Sequence, residues 1–125
     1  MSGDSTNVYG KKTRLVEFFA SAARTATADS AATAAPEAYD ECLVFIDTTA
    51  ASGTPTLDMR YQLSDDDGTT WWTRASAAQI TTTGQTLLTI PDTIGRFCRL
   101  RAEIGGSSPS FTFTARVEFK RNGEG

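Results

Sequence analysis

The residues best equipped for chemistry in this sequence lie in one run, Ser64-Asp65-Asp66-Asp67-Gly68-Thr69-Thr70-Trp71. Adjacent carboxylates could hold calcium, which takes about six to eight oxygen ligands. No acidic residue follows at the far end of the run to complete a cage. Acids could instead hydrolyse a glycosidic bond, but that needs two carboxyls across a cleft, one with a raised pKa. Glu17, Glu41, Asp47, Asp58, Glu103 and Glu118 are scattered over separate segments, mostly at polar positions, and read as a solvated face. The chain contains no histidine, so the usual triad base and a common zinc ligand are both missing. Gly105-Gly106-Ser107 precedes no helix and makes no phosphate loop. The expectation is a protein that is not an enzyme and has no cofactor, no metal and no small-molecule substrate.

Thiol chemistry rests on Cys42 and Cys98. Both an inter-sheet bridge and a pair of buried free thiols fit two cysteines on separate strands. Antibody domains carry a core tryptophan on the strand after the first cysteine, where this chain offers Met59 and Tyr61. Synthesis in a cytoplasm also keeps thiols reduced, which favours the free form.

Strands must position these groups. In Phe111 to Lys120 the apolar residues stand at 111, 113, 117 and 119 with Ala115 in step. That period of two buries one face of a strand and wets the other. Leu57 to Leu63 and Cys98 to Ile104 repeat the pattern, while the unbroken apolar run Cys42 to Ile46 suits a central strand covered on both faces. Thr13 to Ala20 opens the set, and Ser21 to Ala35 reads as an extended continuation followed by a surface loop. Trp71-Trp72-Thr73 begins another strand and Gln85 to Ile90 a further one. Ser52-Gly53-Thr54-Pro55 and Gly105 to Pro109 read as chain-reversing turns. About seven antiparallel strands are thus expected in a β-sandwich, immunoglobulin-like or jelly-roll-like, with all-β fold class.

The 125 residues make one domain: a flexible arm at 1–12, the sandwich at 13–121 and a tail at 122–125. Twelve Lys and Arg against fifteen Asp and Glu leave a net charge of −3, ill suited to binding nucleic acid. There is no apolar run of about eighteen residues, so no membrane-spanning helix is expected. Met1 to Asn7 has neither the basic nor the apolar region of a signal peptide, which points to cytoplasmic synthesis.

Ser64, Asp66, Gly68, Thr70 and Trp71 fit the pattern Ser-x-Asp-x-Gly-x-Thr-Trp and resemble the Asp-box of sialidases and other β-proteins. The resemblance implies a structural hairpin and not a catalytic site. Sialidases repeat the motif around a propeller, whereas one copy implies a lone hairpin. Physically, Gly68 would supply a positive φ, and the short Ser and Asp side chains would bond the turn's amides.

Candidate interface residues come from three places. Val8, Tyr9, Lys11, Lys12 and Arg14 belong to a segment too polar to fold alone, suited to gaining order on a partner. Trp72 should point outward if Trp71 points inward. Arg99, Arg101 and Glu103 would face Arg116, Glu118 and Lys120 if those strands are neighbours, as a salt-bridge ladder or as an interface. Such cross-strand pairs contribute only about 0.2–1 kcal/mol each.

Phe19 to Thr27, Leu43 to Ile46 with Asp47-Thr48-Thr49-Ala50 and Ser52-Gly53-Thr54, and Gly105 to Phe113 together resemble small virion proteins of tailed bacteriophages. The resemblance spans roughly residues 15 to 120. It implies a non-enzymatic β-sandwich structural protein, made in the host bacterial cytoplasm and resident in the virion. A head decoration (cement) role is the most natural, with the major capsid protein and copies of itself as partners, as a homo-oligomer and most simply a trimer. A tail-tube or neck subunit is the alternative; only the segment from 21 to 38 could form the long loop it needs. A carbohydrate-binding module is a second alternative, with Tyr61, Trp71 and Trp72 as its aromatic row.

Overall fold

The computed structural model describes residues 4–6, 12–34 and 39–121. Eight strands run through them: β1 (Asp4–Thr6), β2 (Lys12–Arg24), β3 (Ala28–Asp29), β4 (Thr33–Ala34), β5 (Glu41–Leu63), β6 (Trp72–Ser76), β7 (Gly84–Ile90) and β8 (Phe97–Lys120). Every pairing is antiparallel, and the fold is all-β.

β5 and β8 form one ribbon that passes through both layers of the sandwich. Cys42 lies opposite Phe119 and Val44 opposite Val117, while much further along Leu57 lies opposite Ile104 and Tyr61 opposite Leu100. The first half of β5 takes β7 on its free side, and β2 and then β1 extend beyond β8, giving the order β1-β2-β8-β5-β7. The second half of β5 takes β6, and β3 and β4 line the other side of β8.

Here the structure corrects the two expected turns. Ser52–Pro55 and Gly105–Pro109 do not reverse the chain; Thr54 pairs with Ser107, Pro55 with Gly106 and Thr56 with Gly105. They are corners where the paired ribbon bends from one layer into the other. The burial phase records it: β5 buries Cys42, Val44 and Ile46, then Leu57, Met59 and Tyr61, while β8 buries Cys98, Leu100 and Ala102, then Phe111, Phe113 and Ala115. A simple alternation cannot change parity. Register shifts at Thr48/Ala50 and Ser52/Thr54 supply the extra residues that change it. Glycine at positive φ serves a bend as well as a hairpin, so the local signal is the same for both.

Both layers contribute to a single core. Val44, Ile46, Phe113 and Phe119 from one layer meet Leu57, Met59, Tyr61 and Leu100 from the other. The Tyr61 hydroxyl donates to the Ile94 carbonyl at 2.7 Å, and its ring end lies against both thiols. Cys42 and Cys98 are free and fully buried. Burial pushes Cys42 up to about 12 and Cys98 up to about 11, so both remain protonated at neutral pH.

Part of the expected arm belongs to the sheet. Asp4–Thr6 pairs with Lys12–Arg14 along the β2 edge, and β2 itself begins at Lys12. Edge pairing uses the backbone, so the polarity of this segment did not forbid it.

Candidate functional site

The acidic run closes into a tight hairpin between β5 and β6. Ser64 Oγ accepts from the Gly68 amide at 2.7 Å and donates to Asp66 Oδ1 at 2.9 Å. That same carboxylate oxygen accepts from the Thr70 amide at 2.7 Å and the Thr69 amide at 3.1 Å. Asp67 at φ 60° and Gly68 at φ 99° make the left-handed tip. Trp71 Nε1 donates to the Gly68 carbonyl at 3.1 Å, its ring stacks on Phe97 at 6.2 Å, and the Arg99 guanidinium sits 4.4 Å from its centre. All of these interactions are internal to the fold.

The Thr70 amide, above all, draws Asp66 from its ordinary 3.8 down to about 2. A depressed carboxylate stabilises the fold above its ordinary pKa and loses that contribution as pH falls through the lowered value. The Thr70 amide resonance should therefore titrate with a midpoint near 2, and the acid step should vanish in Asp66→Asn. A wild-type midpoint at the ordinary value of 3.8 would show that these amides do not hold the carboxylate.

The outer face of the β3/β4-β8-β5-β6 layer is a closed polar network. Arg60 Nε meets Glu103 at 2.9 Å, Arg101 meets Glu103 at 3.1 Å and Asp29 at 3.0 Å, and Arg99 reaches Asp29 at 3.5 Å. Arg99 Nε also donates to Gln62 at 2.8 Å, and Arg60 donates to Ser76 at 2.8 Å. Arg60 first, then Arg101, holds the Glu103 carboxyl below the usual range, and Glu103 in turn raises Arg101. Arg99 and Arg101 are thus partnered within the domain. They do not face Arg116, Glu118 and Lys120, because the two charge sets lie on opposite layers of one bent strand. Asp29 and Arg60 escaped sequence reading because only the register brings them to Arg101.

The outer face of the β1-β2-β8-β5-β7 layer is of another kind. Its register aligns Glu17, Arg116, Phe45 and Leu87 in one row across four strands. Leu15, Glu118, Leu43 and Thr89 form the next row. Leu43 and Phe45 are only half-buried, so the run Cys42 to Ile46 is not covered on both faces as expected. Leu87 is 58% exposed and Leu15 36%. Phe45, Asp47, Gln85, Leu87 and Arg116 border a groove of about 300 Å³, and Leu15, Phe45, Arg116 and Glu118 a second of about 220 Å³. Of the arginines proposed from sequence, Arg116 is the one on this apolar face.

The remaining candidates are dispersed. Trp72 is 60% exposed and borders a groove of about 460 Å³ with Leu63, Asp65, Gly95 and Arg96. Arg14 is half-buried, and its enclosed Nε has no hydrogen-bond partner. Lys12 begins β2 opposite Thr6. Val8, Tyr9 and Lys11 lie outside the described residues. Among the described residues no three acidic or thiol groups converge as a metal site would need.

No protein-family model matches this chain, and no curated protein matches it. A crystal structure of PirA is similar at 19% identity, covering 92% of this chain and 96% of that one, with a TM-score of 0.49.

Proposed function

We propose that this chain is a non-enzymatic structural subunit of a phage virion. As a decoration or cement protein it docks on the outside of the head shell through the Leu15-Leu43-Phe45-Leu87 face. The observation that carries the reading is the contrast between the two outer faces. One has its charges bonded to one another, while the other presents half-exposed large apolar residues around Arg116. Apolar surface rimmed by polar groups is the usual mark of a protein-docking site.

Other features favour this reading over its rivals. A general acid needs a carboxyl held in its protonated form, whereas Asp66 and Glu103 are both held ionised. A sugar-binding row needs several exposed aromatics, yet Tyr61 is fully buried and Trp71 lies against Phe97 and Arg99. The ring-contact loop of a tail or neck subunit would have come from residues 21 to 38, and Ala28–Asp29 and Thr33–Ala34 are laid along β8 instead.

A protein that binds only the assembled shell stabilises it by mass action. Heads stripped of the protein should release DNA at a lower temperature. Re-adding the wild type should restore them and re-adding Phe45→Asp should not. Stripped heads of normal heat resistance, with tails that shorten or fail to join, would place the protein in the tail or neck.

A further inference from the structure

We infer that β7 is a self-pairing edge, joining two copies of this chain antiparallel across a two-fold axis with Leu87 opposite its counterpart. This concerns the chain itself and holds whether or not it belongs to a virion.

An edge strand offers unpaired N–H and C=O groups, and proteins ordinarily block such edges with charge, proline, bulges, shortness or a cover. The other edges here are blocked in those ways. β1 covers only the Lys12–Arg14 end of β2; the rest of β2 carries Glu17 and Arg24, and its pairing with β8 shifts register between Glu17 and Ala22. β6 is five residues long, carries Arg74 and abuts the register shift at Tyr61/Gln62. β3 and β4 are two residues each. By contrast β7 has seven residues, Gly-Gln-Thr-Leu-Leu-Thr-Ile, with no charge, no proline and an unbroken register against β5. Among the described residues β5 is its one ladder partner, and no backbone hydrogen bond outside the ladders involves it.

The sequence of β7 suits a second copy. Directly opposed antiparallel residues point to the same face, so a two-fold pair must centre on a residue. Centring on Leu87 overlaps the whole strand, with Gly84 opposite Ile90, Gln85 opposite Thr89 and Thr86 opposite Leu88. None of these pairs brings a charge to the seam, so two chains of net charge −3 meet where neither presents one. Phe45 already stands beside Leu87 in register. The axis therefore extends the apolar row as Phe45, Leu87, Leu87, Phe45 and covers the exposed Leu87 side chains. Main-chain bonds supply the affinity and the leucines fix the register. Such a contact is isologous and closes on itself, so it uses up the free edge without further growth. It does not build the trimer that the family resemblance suggests.

Sedimentation of the full chain tests this directly. The wild type should run at twice the chain mass, and Leu87→Lys at the single-chain mass with its far-ultraviolet circular dichroism unchanged, since Leu87 is exposed in the single chain. Leu87→Cys should become a disulfide-linked pair under a thiol oxidant and separate on reduction, while Ala78→Cys, on an exposed loop, should not. The buried native thiols do not compete. A wild type at the mass of one or three chains would overturn the inference, as would a Leu87→Lys variant that keeps the double mass. A foreign donor strand as the natural occupant of β7 would leave the wild type single and count against it.

Discussion

Gly106→Ala should cost about 3 kcal/mol or more of folding stability, from left-handed strain of about 1–2 kcal/mol and overpacking of about 1–3. At the corner of the ribbon Gly106 has φ 100°, and a Cβ there would overlap the Thr54 carbonyl oxygen. The arrangement is reciprocal. Gly53 on the other strand has φ 77°, and its Cβ would overlap the Ser108 carbonyl oxygen. Both obstacles are backbone, and Thr54 Oγ1 fastens the same place by accepting from the Ser107 amide at 3.2 Å. Neither strand can retreat without opening the ladder that carries the chain between layers. Gly105→Ala is the matched control, because Gly105 lacks the positive φ and its Cβ would meet only Thr56 Oγ1, at 3.1 Å. Urea unfolding of the two variants should separate them by about 2 kcal/mol or more. Equal midpoints would mean that the corner tolerates a side chain and that its glycines do not set the bend.

That corner also marks where sequence reading stopped. Alternation from Phe111 to Phe119 and from Leu57 to Tyr61 gave strand, face and core membership, because burial on one side imposes a period of two whatever the topology. Gly53 and Gly106 announced a backbone irregularity but not its outcome. A hairpin and a bend both need φ above zero, and only long-range pairing of Thr54 with Ser107 distinguishes them. The hydrogen bonds around Asp66 span only a few residues, so local sequence was enough to anticipate that type of turn. The outer faces could not be read in the same way. Leu15, Phe45 and Leu87 lie far apart in sequence and become neighbours through two separate registers. Asp29, Arg60 and Arg101 meet by the same route. Chemistry carried by cross-strand rows stays hidden until strand order is known.

Phe113→Ala should destabilise the domain by about 3–5 kcal/mol, the range for a buried aromatic replaced by a small side chain. Phe113 is fully buried just beyond the corner, with its ring edge-on to Phe19 at 5.5 Å and 68°. The Arg24 guanidinium caps this pair, 4.9 Å from the Phe19 ring centre and 5.4 Å from that of Phe113. Among the described residues Arg24 donates one hydrogen bond, to the Ala20 carbonyl at 3.0 Å, and its enclosed Nε has none. The rings are therefore its principal company. Truncation removes packing, an aromatic contact and half of a cation–π pair, each of which adds to the loss. Arg24 also lies at the end of β2, within reach of solvent, so water can enter the cavity and hydrate the guanidinium. That relaxation offsets part of the cost and places the expected value nearer 3 than 5 kcal/mol. In a double-mutant cycle Arg24→Ala should cost less in the Phe113→Ala background than in the wild type. Additive losses would show that Arg24 covers the rings without binding to them, and a Phe113→Ala loss below about 1 kcal/mol would remove this pair from the core that joins the corner to β2.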